Sequence, residues 1–146
     1  MCEVYGLSET TGPHSNGIVS SNRIGSIGQV GTINQSKLFN KDQEGSGELC
    51  MYGRHIFMGY LNDEKKTKDS IDSDGWFHSG DVAKIDDGFI YITGRIKEIL
   101  ITAGGENVSP VPIEDNLKAA MPKLVSNAML IGDKQKYLTI LVTLKV

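Results

Sequence analysis

Glycine punctuates this chain at short, irregular intervals, and that spacing constrains the fold more than any other feature. Seventeen of the 146 residues are glycine, about 12%, against ~7% in ordinary globular proteins. They form neither a repeat nor a low-complexity tract, but stand mostly singly at the ends of short apolar runs. Such a pattern suits short strands joined by tight turns, and equally suits backbone held close to a ligand.

The order of apolar runs fills in this outline. Residues 1 to 17 contain the polar loop Tyr5-Gly6-Leu7-Ser8-Glu9-Thr10-Thr11-Gly12-Pro13. From Ile18 to Tyr60, short apolar pieces at Ile24 to Val30, Lys37 to Phe39 and Glu48 to Tyr52 predict strands of a small barrel or distorted sheet. Asp63 to Thr67 predicts a short surface helix whose charges form a solvated face. Asp74-Gly75 marks a turn before Trp76-Phe77-His78-Ser79-Gly80-Asp81. Val82 to Ile85 and Phe89 to Thr93, around Asp86-Asp87-Gly88, predict a hairpin.

Beyond Lys97 the pattern changes. Ile99 to Thr102 is a brief apolar run, and Ala103-Gly104-Gly105-Glu106-Asn107 a loop. Pro112 to Ala120 predicts a helix, favoured by early proline and by Glu114-Asp115 near its start. Val125 to Ile131 and Tyr137 to Leu144 predict strands joined by a turn at Gly132-Asp133-Lys134. The order strand, helix, strand, strand places a domain boundary at about Arg95 to Lys97. The chain begins in a ligand-type loop and stops on an apolar strand, so the expectation is a piece of a longer polypeptide.

Composition narrows the function classes. A net charge of -3 with no basic stripe gives no electrostatic case for nucleic acid. The longest apolar runs are too short to span a bilayer, and Met1-Cys2-Glu3 does not open a signal peptide. Cys2 and Cys50 lack metal or redox spacing, so both are expected to be reduced, packed thiols in a cytosolic setting.

Four clusters carry chemistry. Tyr5 to Thr11 offers an aromatic plane, a glycine, three hydroxyls and the Glu9 carboxylate. That set can stack a base, approach a phosphate and hold magnesium, and it can equally be a hydroxyl-rich turn. Asp81, after a glycine, can accept two ribose hydroxyls or cap a turn. Arg95 suits a ribose, a phosphate or a surface salt bridge. Gly104-Gly105 lets backbone approach a thin ligand or another domain, or is a plain loop.

Their order is more specific than any one of them. Tyr5 to Thr10, Gly47-Glu48-Leu49 with Gly59-Tyr60-Leu61, Gly75 to Asp81, and Gly94-Arg95-Ile96-Lys97-Glu98 resemble successive core motifs of the adenylate-forming superfamily, which includes acyl-CoA synthetases, luciferases and peptide-synthetase adenylation domains. Ile99 to Glu114 looks like the next motif. Within the superfamily, Gly53 to Tyr60 and Lys97 to Pro112 most resemble the bubblegum-type long-chain fatty acyl-CoA ligases.

The resemblance implies a mainly β chain with α+β. Residues 1–95 would end a large AMP-binding domain with a distorted antiparallel β-barrel. Residues 96–146 would begin a small, mobile C-terminal domain. It further implies ATP, Mg2+ and CoA as co-substrates, with a long-chain fatty acid activated as acyl-AMP. Tyr5 would stack on adenine and Gly6 leave room for it, with Leu7 in the same nucleotide-binding loop. Ser8 and Thr10 would contact phosphate, Glu9 would coordinate magnesium, and Asp81 and Arg95 would hold ribose or phosphate. Tyr91 would lie near the nucleotide or in the core. Lys97 would be the hinge, and Gly104 and Gly105 would line the channel for the CoA arm. Trp76, Phe77 and His78 are read as structural.

Glu98 and Ser8 stand where many relatives have aspartate and threonine, each keeping its functional group. The family's phosphate loop and late lysine are not among these residues, so the chain alone is expected to be inactive. The competing readings are a luciferase-like or carrier-loading relative, and a non-catalytic nucleotide-binding or interaction module. The intact enzyme is expected in the cytoplasm, with peripheral membrane association at the endoplasmic reticulum face.

Overall fold

A computed structural model describes residues 3–18, 20–30 and 34–145. The chain separates into two compact units, Met1–Ile92 and Thr93–Val146.

The first unit is built on a seven-stranded sheet: β1 (Val4–Tyr5), β2 (Ser15–Asn16), β3 (Gln29–Val30), β4 (Gln35–Phe39), β5 (Gly47–Tyr52), β6 (Phe77–Asp86) and β7 (Phe89–Arg95), the last of which runs on past Ile92 into the second unit. Its order is β1-β2-β3-β7-β6-β5-β4. Among the described residues no pairing joins β4 to β1, so the sheet is open. The expected mainly β class stands, without a closed barrel. Asp87 and Gly88, with φ of 46° and 78°, form the two-residue turn whose backbone twist matches the flanking strands β6 and β7.

Leu49 and Met51 of β5, Phe77 and Ala83 of β6, Ile90 of β7 and Ile27 form the buried cluster. Ile27 is fastened to β7, since its N–H donates to the Ile90 carbonyl at 2.9 Å and the Ile90 N–H donates to the Gly28 carbonyl at 3.1 Å. Burying a side chain such as Ile90 contributes ~1.5–3 kcal/mol. The charged segment forms α1 (Glu64–Ser70), where the Asp63 carboxylate caps the helix by accepting from the Lys66 N–H at 2.9 Å.

In the second unit, β8 (Leu100–Ile101) pairs with β9 (Asn107–Val108), and β10 (Val125–Ile131) pairs antiparallel with β11 (Thr139–Leu144). Helix α2 (Pro110–Ala120) begins two residues before the predicted start, with Pro110 in its first turn. Glu114 therefore lies beyond the first turn. Its role is tertiary: Oε1 accepts from the Leu130 N–H at 2.6 Å and ties α2 to β10. Among the described residues no helix is long and apolar enough to cross a membrane.

Candidate functional site

The loop that follows β1 closes on Thr10. This side chain is fully buried, and its hydroxyl oxygen accepts from the Leu7 N–H at 2.9 Å. The same hydroxyl lies 2.8 Å from the carbonyls of Leu7 and Gly12, and its single proton serves one of them at a time. Residues Ser8–Thr10 form one 3-10 turn. The chain then doubles back, and the His14 N–H donates to the Tyr5 carbonyl at 2.8 Å. A Cβ on Gly6 would sit 2.5 Å from the Gly12 carbonyl oxygen. Loop closure by itself therefore demands glycine at position 6.

Segment 53–60 clamps this loop from outside. The Phe57 N–H donates to the Glu9 carbonyl at 2.8 Å, the Thr11 hydroxyl to the His55 carbonyl at 2.9 Å, and the Tyr60 hydroxyl to Glu9 Oε1 at 2.7 Å. Tyr60 is held in turn by its own N–H, which donates to Thr67 Oγ1 at 2.9 Å. Burial, reinforced by the hydrogen bond to Glu9, pushes the Tyr60 phenol above its usual range.

Behind the loop, His14 and His55 stack with ring centroids 5.1 Å apart and share a 2.9 Å contact between Nδ1 and Nε2. His14 Nε2 lies 2.6 Å from Ser36 Oγ. Burial, then repulsion from a charged His55, lowers His14 to about 4, and burial also lowers His55.

Asp81 reaches the loop because β6 bulges. Glu48 pairs with Val82 and Cys50 with His78, so Leu49 faces three residues, Ser79, Gly80 and Asp81. A bulge re-aims the side chains it carries. The Ser79 hydroxyl pins it to the Leu49 carbonyl at 2.7 Å, and the Gly80 N–H donates to Glu48 Oε1 at 3.0 Å. Asp81, 4% exposed, then accepts from the Tyr5 hydroxyl at 2.6 Å.

The loop thus sets Tyr5 on Asp81 and Glu9 on Tyr60, with Thr10 closing its turn. Tyr60, His14 and His55 were not among the predicted site residues. Tyr60 stood in a motif, but a partner 51 residues away leaves no trace in local spacing. Tyr91, on β7, hydrogen-bonds with Arg23, which also pairs with Asp86 and Asp87. Trp76 packs on Tyr52 with centroids 5.4 Å apart, and Phe77 is in the core. Cys50 is a free, buried thiol, pushed up to about 12 by burial and by the Glu48 carboxylate; Cys2 lies outside the described residues.

The remaining predicted positions belong to the second unit. Arg95 ends β7, and Lys97 sits in an exposed 3-10 turn, Ile96–Glu98. Lys97 borders a cleft of about 490 Å3 whose lining includes Leu100, Pro110, Glu114 and Met129. In the β8–β9 turn, the Gly105 N–H donates to the Thr102 carbonyl at 2.9 Å. Gly105 has φ +83°, a conformation that favours glycine, whereas a Cβ on Gly104 would meet nothing closer than Thr102 Oγ1 at 3.7 Å. The turn requires the second glycine and not the first.

Residues 97–146 match the AMP-binding enzyme C-terminal domain family. By structure, the chain resembles an ATP-bound RpMatB-BxBclM chimera, with TM-score 0.85, 31% identity, all of this chain and 31% of that one covered. It also resembles the AMP complex of O-succinylbenzoate coenzyme A synthetase (MenE) from Bacillus subtilis, with TM-score 0.84, 25% identity, 99% of this chain and 31% of that one. In fold and motif order the chain is similar to a region of the adenylate-forming enzymes.

Within that class its likeness is to the bubblegum-type long-chain fatty-acid–CoA ligases. It is 59% identical to Long-chain-fatty-acid–CoA ligase ACSBG2 of Gallus gallus over 144 residues, 98% of this chain and 19% of the relative. It is 56% identical to Long-chain-fatty-acid–CoA ligase ACSBG1 of Homo sapiens over 142 residues, 97% of this chain and 20% of the relative. The chain spans about a fifth of the length of these curated relatives.

Proposed function

We propose that this chain supplies the adenine and ribose side of a long-chain fatty-acid–CoA ligase. The overall reaction joins a fatty carboxylate to AMP with release of pyrophosphate, then passes the acyl group to the CoA thiol as AMP leaves. The observation that carries this reading is that one loop, entered at Tyr5, sets the Tyr5 hydroxyl on Asp81 and the Glu9 carboxylate on Tyr60. Extensive identity to named ligases supports it.

The residues fit the groups they would hold. Tyr5 occupies one oxygen of Asp81, and a carboxylate has about four lone-pair sites, so a ribose hydroxyl can share it. Tyr60 holds Glu9 Oε1, which orients the carboxylate and leaves Oε2 for a hard cation. Magnesium is commonly held by one or two carboxylates together with substrate phosphates, and when bound it neutralises phosphate charge during attack by the acyl carboxylate. Thr10 acts through the loop by keeping its turn closed, Ser8 faces phosphate within that turn, and Arg95 adds a cation on the ribose side.

Lys97, in its short exposed turn, is the hinge about which residues 96–146 move as the mobile domain, while residues 1–95 close the large domain. Because the β8–β9 turn needs no glycine at position 104, the small residue there is assigned to the CoA channel, with Gly105 beside it. The intact enzyme works in the cytoplasm at a membrane face, since long-chain acyl substrates partition into bilayers.

A substrate screen on the whole polypeptide that contains this sequence tests the reading. Long-chain fatty acids should give acyl-CoA in the presence of ATP and magnesium. Transfer to a carrier protein or a light-emitting oxidation, without acyl-CoA formation, would favour the other branches of the superfamily.

A further inference from the structure

Strand pairing brings together three side chains whose separation in sequence shows no metal spacing. Glu48 and Cys50 are two apart on β5, so they project from the same face, and Cys50 pairs directly with His78 across the ladder. Cys50 Sγ lies 3.5 Å from His78 Nδ1, and Nδ1 lies 2.8 Å from Glu48 Oε2. All three ligand atoms fall within 4.8 Å of one another. On the other side of the ring, Nε2 is 3.6 Å from Asp72 Oδ2, and Phe39 packs edge-on against the imidazole at 5.1 Å.

We propose that Glu48, Cys50 and His78 form a zinc site in which Asp72 is the carboxylate behind the histidine. The sulfur–nitrogen distance suits a tetrahedral ion. With Zn–S of about 2.3 Å and Zn–N of about 2.0 Å, sulfur and nitrogen around one ion stand about 3.5 Å apart, as Cys50 and His78 do. The nitrogen–oxygen pair would open to about 3.3 Å, a retreat of about half an ångström for Glu48. A fourth position falls to water.

As a hydrogen-bond network alone, Glu48 already satisfies the imidazole Nδ1 at 2.8 Å, and the Cys50 thiol makes a second, longer contact with the same nitrogen. As a metal site every group has a part. Binding releases the thiol proton, and the imidazole proton moves from Nδ1 to Nε2, where it faces Asp72. A ligating histidine commonly gives its other N–H to a carboxylate in this way. Lys37, 3.6 Å from Asp72, completes a neutral set: a divalent ion and one ammonium against two carboxylates and a thiolate. Glu48 also accepts from the Gly80 N–H, so the ion would brace the bulge that carries Asp81. The site is structural and does not depend on the ligase reading.

Cobalt(II) titrated into the purified, reduced protein and displaced by zinc tests this directly. The expected result is one equivalent of cobalt with a thiolate charge-transfer band, abolished by zinc and by Cys50→Ala but retained in Cys2→Ser. Zinc affinity should fall ~10- to 100-fold in Asp72→Asn with the cobalt band preserved, and at least as far in His78→Gln. Folded wild-type protein that takes up no cobalt, or shows no thiolate band, overturns the site, and so does a band that survives Cys50→Ala.

Discussion

The Tyr5 hydroxyl donates a 2.6 Å hydrogen bond to Asp81 Oδ2 across 76 residues of sequence. It makes the short β1 and the bulge in β6 one structure, because Asp81 is buried and its carboxylate needs partners. Tyr5→Phe keeps the ring and removes the donor. Stability should fall by ~1–2 kcal/mol, read as a lower midpoint in urea denaturation, whereas Tyr91→Phe should change it less.

Substitution at three glycines separates packing, conformation and open space. Gly6→Ala forces a Cβ toward the Gly12 carbonyl and should destabilise by ~1–3 kcal/mol. Gly105→Ala places a side chain at positive φ, at ~1–2 kcal/mol. Gly104→Ala should stay within ~0.5 kcal/mol. Thermal denaturation of the three variants ranks them, and a Gly104→Ala loss as large as that of Gly6→Ala would contradict the open environment at position 104.

The stacked histidines set an acid limit on stability. His14 is held at about 4 in the folded chain, from an ordinary 6.5, by burial and then by His55. The unfolded chain therefore binds the proton more readily, and stability rises with pH in this window. The contribution of neutral His14 is fully present above about 6.5 and declines as pH falls toward 4. Urea midpoints between pH 7 and 4 should drop, with a shallower slope in His14→Asn, which cannot titrate.

Much of this architecture was legible from residue patterns, and the rest was not for identifiable reasons. The hairpin around Asp87-Gly88, the helix after Asp63 and the strand Val125 to Ile131 all follow from local rules of turn, cap and apolar run. Tyr60 on Glu9 and Cys50 opposite His78 depend instead on how β5, β6 and the 53–60 segment pair, information carried by no short stretch of sequence. Gly6, read from the resemblance as room for a base, is also required by the loop's own closure against Gly12.

In isolation the protein is expected to form no thioester from ATP, oleate and CoA. The phosphate loop and late lysine that the resemblance implies are not among these 146 residues. Chromatographic detection of oleoyl-CoA made by the purified 146-residue protein would refute this.

The most direct measurement is acyl-CoA synthesis by the Gallus gallus ligase with its matching 144-residue segment replaced by that of this chain. At 59% identity, the hybrid should melt like its parent and make oleoyl-CoA. Activity should then fall about 100-fold or more with Glu9→Gln or Asp81→Ala. A hybrid that folds like its parent yet makes no acyl-CoA, or one indifferent to Glu9 and Asp81, would contradict the assignment of this chain to the nucleotide side of a fatty-acid ligase.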